Sequence, residues 1–131
     1  MDMEIVFTGG KKVEARWRGF TIQTDQGPDH GGEGSAPEPF TLFLASLGTC
    51  AGIYVLSFCE ARGIPTEGLR LIQHMVTAPD NQGLGGIEME VVLPPEFPAK
   101  YEKAVLRVAE QCAVKKALIS PPPITWKASR E

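Results

Sequence analysis

Cysteine is scarce in this sequence. Cys50, Cys59 and Cys112 are an odd-numbered set, far below the density of a secreted domain held by disulfides. Histidine is scarcer, with only His30 and His74. No Cys-x-x-Cys and no paired-histidine motif occurs, which argues against a structural zinc site. An excess of positive charge is also lacking. The net charge is −3 and the pI ≈ 5.4, which argues against nucleic acid as the main partner, because phosphate binding needs a basic face. No basic stretch leading into an apolar one opens the chain, so no signal peptide is expected and a reducing cytoplasm is the expected compartment. No phosphate-cradling glycine loop of the Walker or dinucleotide type is present.

What is there is a run without charge. From Pro39 to Cys59, 21 consecutive residues carry none, and Glu38 and Glu60 flank them. That length could cross a bilayer. Thr41, Ser46, Gly48, Thr49 and Ser57 dilute it, however, and no Lys/Arg cluster borders it. The expectation is a buried helix and no membrane partner. The 131 residues are expected to form one domain, 1–131, with one modest core.

Around this run the pattern alternates. Met3 to Thr8 reads as a strand, and Gly9-Gly10 as a turn. Val13, Ala15 and Trp17 alternate with Glu14, Arg16 and Arg18 in a half-buried strand. Phe20, Ile22 and Thr24 continue as a third. Asp25 to Pro37, rich in Gly, Asp and Pro, reads as a loop that is either mobile or functional, with Gly31-Gly32-Glu33-Gly34 as a flexible stretch. Ser35 is a candidate helix N-cap, with Glu38 in capping-box spacing. Pro37 and Pro39 fit only a first turn. The helix is expected to run to Arg62, about 37 Å, and to stop at Gly63-Ile64-Pro65.

Leu69 to Val76 and Ile87 to Leu93 read as a hairpin around Pro79-Asp80-Asn81-Gln82-Gly83. A second helix is expected from Pro98, with Tyr101, Ala104, Val105, Val108, Ala109 and Cys112 on one face. A short helical turn continues through Leu118. After Pro121-Pro122-Pro123, alternation of Ile124, Trp126 and Ala128 predicts a last strand. The order gives an α+β fold with antiparallel sheets around a long buried central helix. One sheet covers one side of a helix that is apolar all round, so burial alone predicts an intertwined homodimer.

The thiols differ in what they could do. Cys50 and Cys59 lie nine residues apart on one helix, about 13 Å along its axis, on opposite faces. A disulfide needs Cα atoms closer than about 7 Å, so Cys59 reads as a packing residue. Cys50 and Cys112 lie on different elements that tertiary packing could bring together. They are either inert core residues or a working pair. A reactive thiolate in an apolar site needs a cation. Arg16 and Arg18 on the second strand are candidates, since a guanidinium stays charged when desolvated. Lys115 and Lys116 read as surface residues. A Cys–His hydrolase would need His30 or His74 beside Cys50.

Two stretches carry a resemblance. Pro39-Phe40-Thr41-Leu42-Phe43-Leu44-Ala45-Ser46-Leu47-Gly48-Thr49-Cys50 resembles the central-helix motif of the OsmC/Ohr family (osmotically inducible protein C and organic hydroperoxide resistance protein). Ala61-Arg62-Gly63-Ile64 resembles that helix's exit. Cys112-Ala113-Val114-Lys115-Lys116-Ala117-Leu118 resembles the family's second cysteine motif. The resemblance spans nearly the whole chain. It implies an OsmC-like fold, an intertwined homodimer and thiol-dependent reduction of organic hydroperoxides. It further implies Cys50 as peroxidatic thiol, Cys112 as resolving thiol and an external dithiol, lipoyl-type in some members, as reductant. Arg18 or Arg16 would hold the thiolate, Arg18 being favoured at a strand end. No metal or organic cofactor is implied.

Two positions depart from the family pattern. Peroxidatic members carry a glutamate immediately after the proline; here it is Phe40, with Glu38 two residues earlier. Ala113 replaces a proline after the second cysteine. Phe40 could wall an apolar pocket, so the alternative is a dimeric binding or stress protein of the same fold with little peroxidase activity.

Overall fold

The structure is a computed structural model and describes residues 2–131. The chain forms two compact units, residues 1–45 and residues 46–131.

In the N-terminal unit, β1 (Glu4–Gly9), β2 (Lys12–Trp17) and β3 (Phe20–Thr24) form an antiparallel meander in the order β1-β2-β3. Ile5 pairs with Ala15, and Ala15 with Ile22; Phe7 pairs with Val13, and Trp17 with Phe20. Because side chains alternate across a strand, this register gathers the apolar residues on one face. Much of that face is open: Phe7 is 85% exposed and Phe20 70%. Glu4, Glu14 and Arg16 take the opposite face by the same alternation.

Helix α1 (Pro39–Ala61) begins with Pro39 in its first turn, where the missing N–H costs nothing. The Glu38 carbonyl accepts from the amide of Leu42 at 3.3 Å. Ser35 is therefore not the N-cap that the spacing predicts. Its hydroxyl and amide are held by Asp25 instead, and that acceptor competes successfully with the helix end. Only Leu47, Ala51, Val55, Phe58 and Cys59 of α1 are buried. Their spacing makes one stripe, while Thr49, Ile53, Leu56 and Ser57 are exposed. By length and composition α1 could cross a membrane.

In the C-terminal unit, β4 (Arg70–Thr77) and β5 (Leu84–Val92) form an antiparallel hairpin. Leu71 pairs with Val91, Gln73 with Met89 and Met75 with Ile87, and these residues share a face. Gly48 allows α1 to approach it closely, since a Cβ there would meet the Gln73 Oε1 at 2.5 Å. One core cluster joins Val55, Phe58, Cys59 and Ile64 to Phe97 and Val105. The Arg62 guanidinium lies 3.7 Å from the Phe58 ring centroid and donates to the Phe58 carbonyl at 3.1 Å, closing the helix end.

A short 3-10 turn (Ala99–Tyr101) leads into α2 (Glu102–Ala109), and α3 (Ala113–Ile119) follows. Cys112 is thus not on the second helix, where its spacing from Ala109 suggests it. The chain turns at 110–111, and Cys112 takes extended backbone (φ −61, ψ 146) as the N-cap of α3. The predicted last strand is also absent. Residues 121–131 have no regular structure, and Trp126 is 91% exposed. Alternation makes a strand only where another strand accepts its hydrogen bonds.

Candidate functional site

Cys50 stands on α1 one position before the buried stripe residue Ala51 and is half-buried. A second apolar cluster is built from Leu47, Ala51 and Cys112, with Cys50, Tyr54, Leu71, Ile87, Met89 and Val114 packed around it. The structure therefore brings Cys50 and Cys112 into one cluster, across 62 residues of sequence. All three cysteines are free thiols. Cys112 is 1% exposed, and its Sγ accepts the Lys115 amide at 3.4 Å. Cys59 is fully buried in the other cluster. Burial pushes its thiol pKa up, and the nearby Arg62 only partly opposes this. Its reading as a packing residue agrees with that position.

Beside Cys112 lies a cavity of about 330 Å³. The β4–β5 hairpin lines it with Leu71, Ile87 and Met89, α1 with Leu47 and Ala51, and α3 with Lys115 and Leu118. Its wall is mostly apolar, with Glu110 and Lys115 as the charged members.

The arginines belong to the N-terminal unit. Arg16 is on β2 and pairs with Glu14 at 3.4 Å. Arg18 occupies the β2–β3 turn with φ 47, its guanidinium 4.8 Å from the Trp17 ring centroid. Phe40 is 57% exposed, its ring centroid 5.4 Å from that of Phe43. The Glu38 carboxylate accepts from the Gly27 amide at 3.0 Å and meets His30 Nδ1 at 2.9 Å. These contacts hold the Glu38 pKa down and raise that of His30.

The sequence reading missed the centre of the loop between β3 and α1. Asp25 is 1% exposed. Its carboxylate accepts from the amides of Gln26, Glu33 and Ser35 and from the Ser35 hydroxyl. These bonds, led by the Ser35 hydroxyl, lower its pKa to about 2. Gly32 and Gly34 donate to the carbonyls of Gly27 and Gln26, so the glycine stretch is tied in place rather than free. A Cβ at Gly32 would collide with the Gln26 carbonyl and the Asp25 carboxylate, which makes glycine a steric requirement there. An Asp ten residues before a Ser, across several glycines, is a weak signal that could have suggested this. Among the described residues no group of three or more His, Cys, Asp or Glu could hold a metal ion.

Residues 32–127 match the family model described as OsmC-like protein. Among solved structures, the chain is similar to a candidate osmotic stress induced and detoxification response protein from Psychrobacter arcticus 273-4. That match has a TM-score of 0.73 at 22% identity and covers 88% of this chain and 85% of the other. An OsmC like protein from Mycoplasma pneumoniae matches with a TM-score of 0.66 at 19% identity, covering 92% and 87%. An organic hydroperoxide resistance protein OsmC from Legionella pneumophila matches with a TM-score of 0.56 at 18% identity, covering 90% and 89%. At these identities the likeness is one of fold. No curated protein matches the chain.

Proposed function

The chain belongs to the OsmC-like protein family, and from that membership we propose that it reduces organic hydroperoxides with Cys50 as peroxidatic and Cys112 as resolving thiol. The observation that carries this reading is the gathering of Cys50 and Cys112 in one apolar cluster. The similarity to the organic hydroperoxide resistance protein OsmC adds to it.

The Cys50 thiolate attacks the terminal oxygen of the hydroperoxide. The O–O bond breaks, the alkoxide leaves and takes a proton to become the alcohol, and Cys50 becomes a sulfenic acid. The Cys112 sulfur then attacks the Cys50 sulfur. An S–S bond forms, and the sulfenic oxygen leaves as water with the Cys112 proton. An external dithiol resets the pair by two exchanges and is itself oxidised to a disulfide. In this scheme an arginine, Arg18 or Arg16, supports the thiolate, as the family resemblance implies. Glu38 does not replace the carboxylate missing at Phe40, because Gly27 and His30 occupy it.

The working unit is a homodimer in the cytoplasm. The open apolar face of the β1–β3 sheet, the exposed Ile53 and Leu56 on α1 and the bare Trp126 all leave apolar surface for a second copy to cover. An apolar cavity beside a thiol that is 1% exposed favours a second reading, a dimeric binding protein with little peroxidase activity.

The test is peroxide loss with cumene hydroperoxide and dihydrolipoamide in wild type, Cys50→Ser and Cys112→Ser. Both variants should lose turnover, and only Cys112→Ser should still consume one equivalent. Equal rates in all three remove the enzyme reading. A ligand recovered by native mass spectrometry, with no thiol oxidation, supports the binding protein.

A further inference from the structure

Cys112 holds two positions at once. It is a member of the Cys50 cluster, and its sulfur is the N-cap acceptor for the Lys115 amide. Beyond Val114, which packs in the same cluster, the helix it caps has few contacts to hold it. α3 has seven residues and none of them is buried; Leu118 is 50% exposed and Ile119 71%. A helix so short is marginal without its cap and its few contacts. The same helix supplies Lys115 and Leu118 to the cavity wall beside Cys112.

We propose that the Cys112 sulfur couples the redox state of the thiol pair to the order of α3, so that disulfide formation uncaps the helix and opens the cavity toward Cys112. The inference rests on the Cys50–Cys112 pairing of the preceding section. A thiol is free to point at the Lys115 amide. A disulfide sulfur must instead satisfy its own bond to Cys50, with a fixed dihedral preference and a short Cβ–Cβ span. Turning toward Cys50 draws this sulfur away from the Lys115 amide, so the cap weakens when the S–S bond forms. The first turn of α3 then frays, as segments with few buried contacts do. Lys115 and Leu118 move off the cavity wall. A reducing dithiol then reaches a sulfur that is sealed in the thiol form. Its first sulfur bonds to Cys112 and Cys50 leaves as thiolate; its second sulfur closes the reductant's own disulfide and releases Cys112. Rebuilding of the cap then closes the cavity.

The experiment is amide hydrogen exchange across 113–119 in the dithiothreitol-reduced protein and after oxidation with diamide. Diamide takes two electrons and two protons from the thiol pair, so the disulfide forms without any peroxide chemistry. Peroxide consumption is measured separately, so failure of the peroxidase reading and failure of the coupling are told apart. Exchange at Lys115 and Lys116 should be at least about fivefold faster in the oxidised form, the population change equivalent to one lost cap. Cys112→Ser keeps a capping oxygen and should stay protected in both conditions. Cys112→Ala should exchange at the fast rate in both. Equal protection in the two redox states, or no disulfide after diamide, overturns the proposal.

Discussion

Ser35 holds Asp25 twice, donating its amide at 3.0 Å and its hydroxyl at 2.6 Å to the same carboxylate oxygen. The loop before α1 is thereby built around a buried charge. With a pKa of about 2 against an ordinary 3.8, this carboxylate stabilises the fold above the ordinary value. It loses that contribution as pH falls toward 2. Thermal melts of wild type and Asp25→Asn should therefore differ most at neutral pH and converge between about pH 4 and pH 2. A constant difference across that range would show that the charge does not hold the loop.

The His30–Glu38 pair works at a different pH. The raised His30 pKa means its contribution is fully present below 6.5 and lost as pH rises through the higher folded value. The lowered Glu38 pKa means its contribution is present above 4.5 and lost as pH falls through the lower folded value. The melting temperature of wild type minus that of His30→Ala should thus be greatest between pH 4.5 and 6.5 and shrink on both sides. Both groups are partly exposed, so the effect should weaken with added salt.

Gly48 is where α1 meets the β4–β5 face. Gly48→Ala can be absorbed, because the atom in the way is the end of a flexible Gln73 side chain and alanine favours a helix by about 1 kcal/mol. Gly48→Val should cost about 1–3 kcal/mol in denaturant unfolding, the usual range for overpacking. Gln73→Ala should restore part of that loss in the double variant. If the two changes are strictly additive, Gln73 is not the obstacle.

The thiols should react in order of exposure. With a disulfide-forming aromatic reagent, half-buried Cys50 should react first, while Cys59 (0% exposed) and Cys112 (1%) wait for opening of the fold. Cys59 should be slowest, because burial also lowers its thiolate fraction. Cys50→Ser should remove the fast phase and leave the slow ones; a persisting fast phase would mean that another thiol is open.

Three strands, the long helix and the hairpin were legible because each follows a period that the residues state directly: alternation in β2 and β3, an uncharged run in α1. Cys112 misled because three residues after Ala109 is also the spacing of one helical face. Nothing local reveals that the chain breaks there and that the sulfur starts a new helix. The loop at 25–37 is a different case. Gly, Asp and Pro read there as either mobile or functional, and the buried Asp25 turns these residues into a fixed turn. Alternation of Ile124, Trp126 and Ala128 predicts a closing strand, but alternation does not name the neighbour a strand requires.

Trp126 offers a practical handle. Its indole is almost wholly in water, so it should fluoresce at long wavelength and be readily quenched by iodide. Trp17, beneath the Arg18 guanidinium, is the other emitter. A blue shift that grows on titrating the protein upward, and disappears in Trp126→Phe, would report assembly without any label.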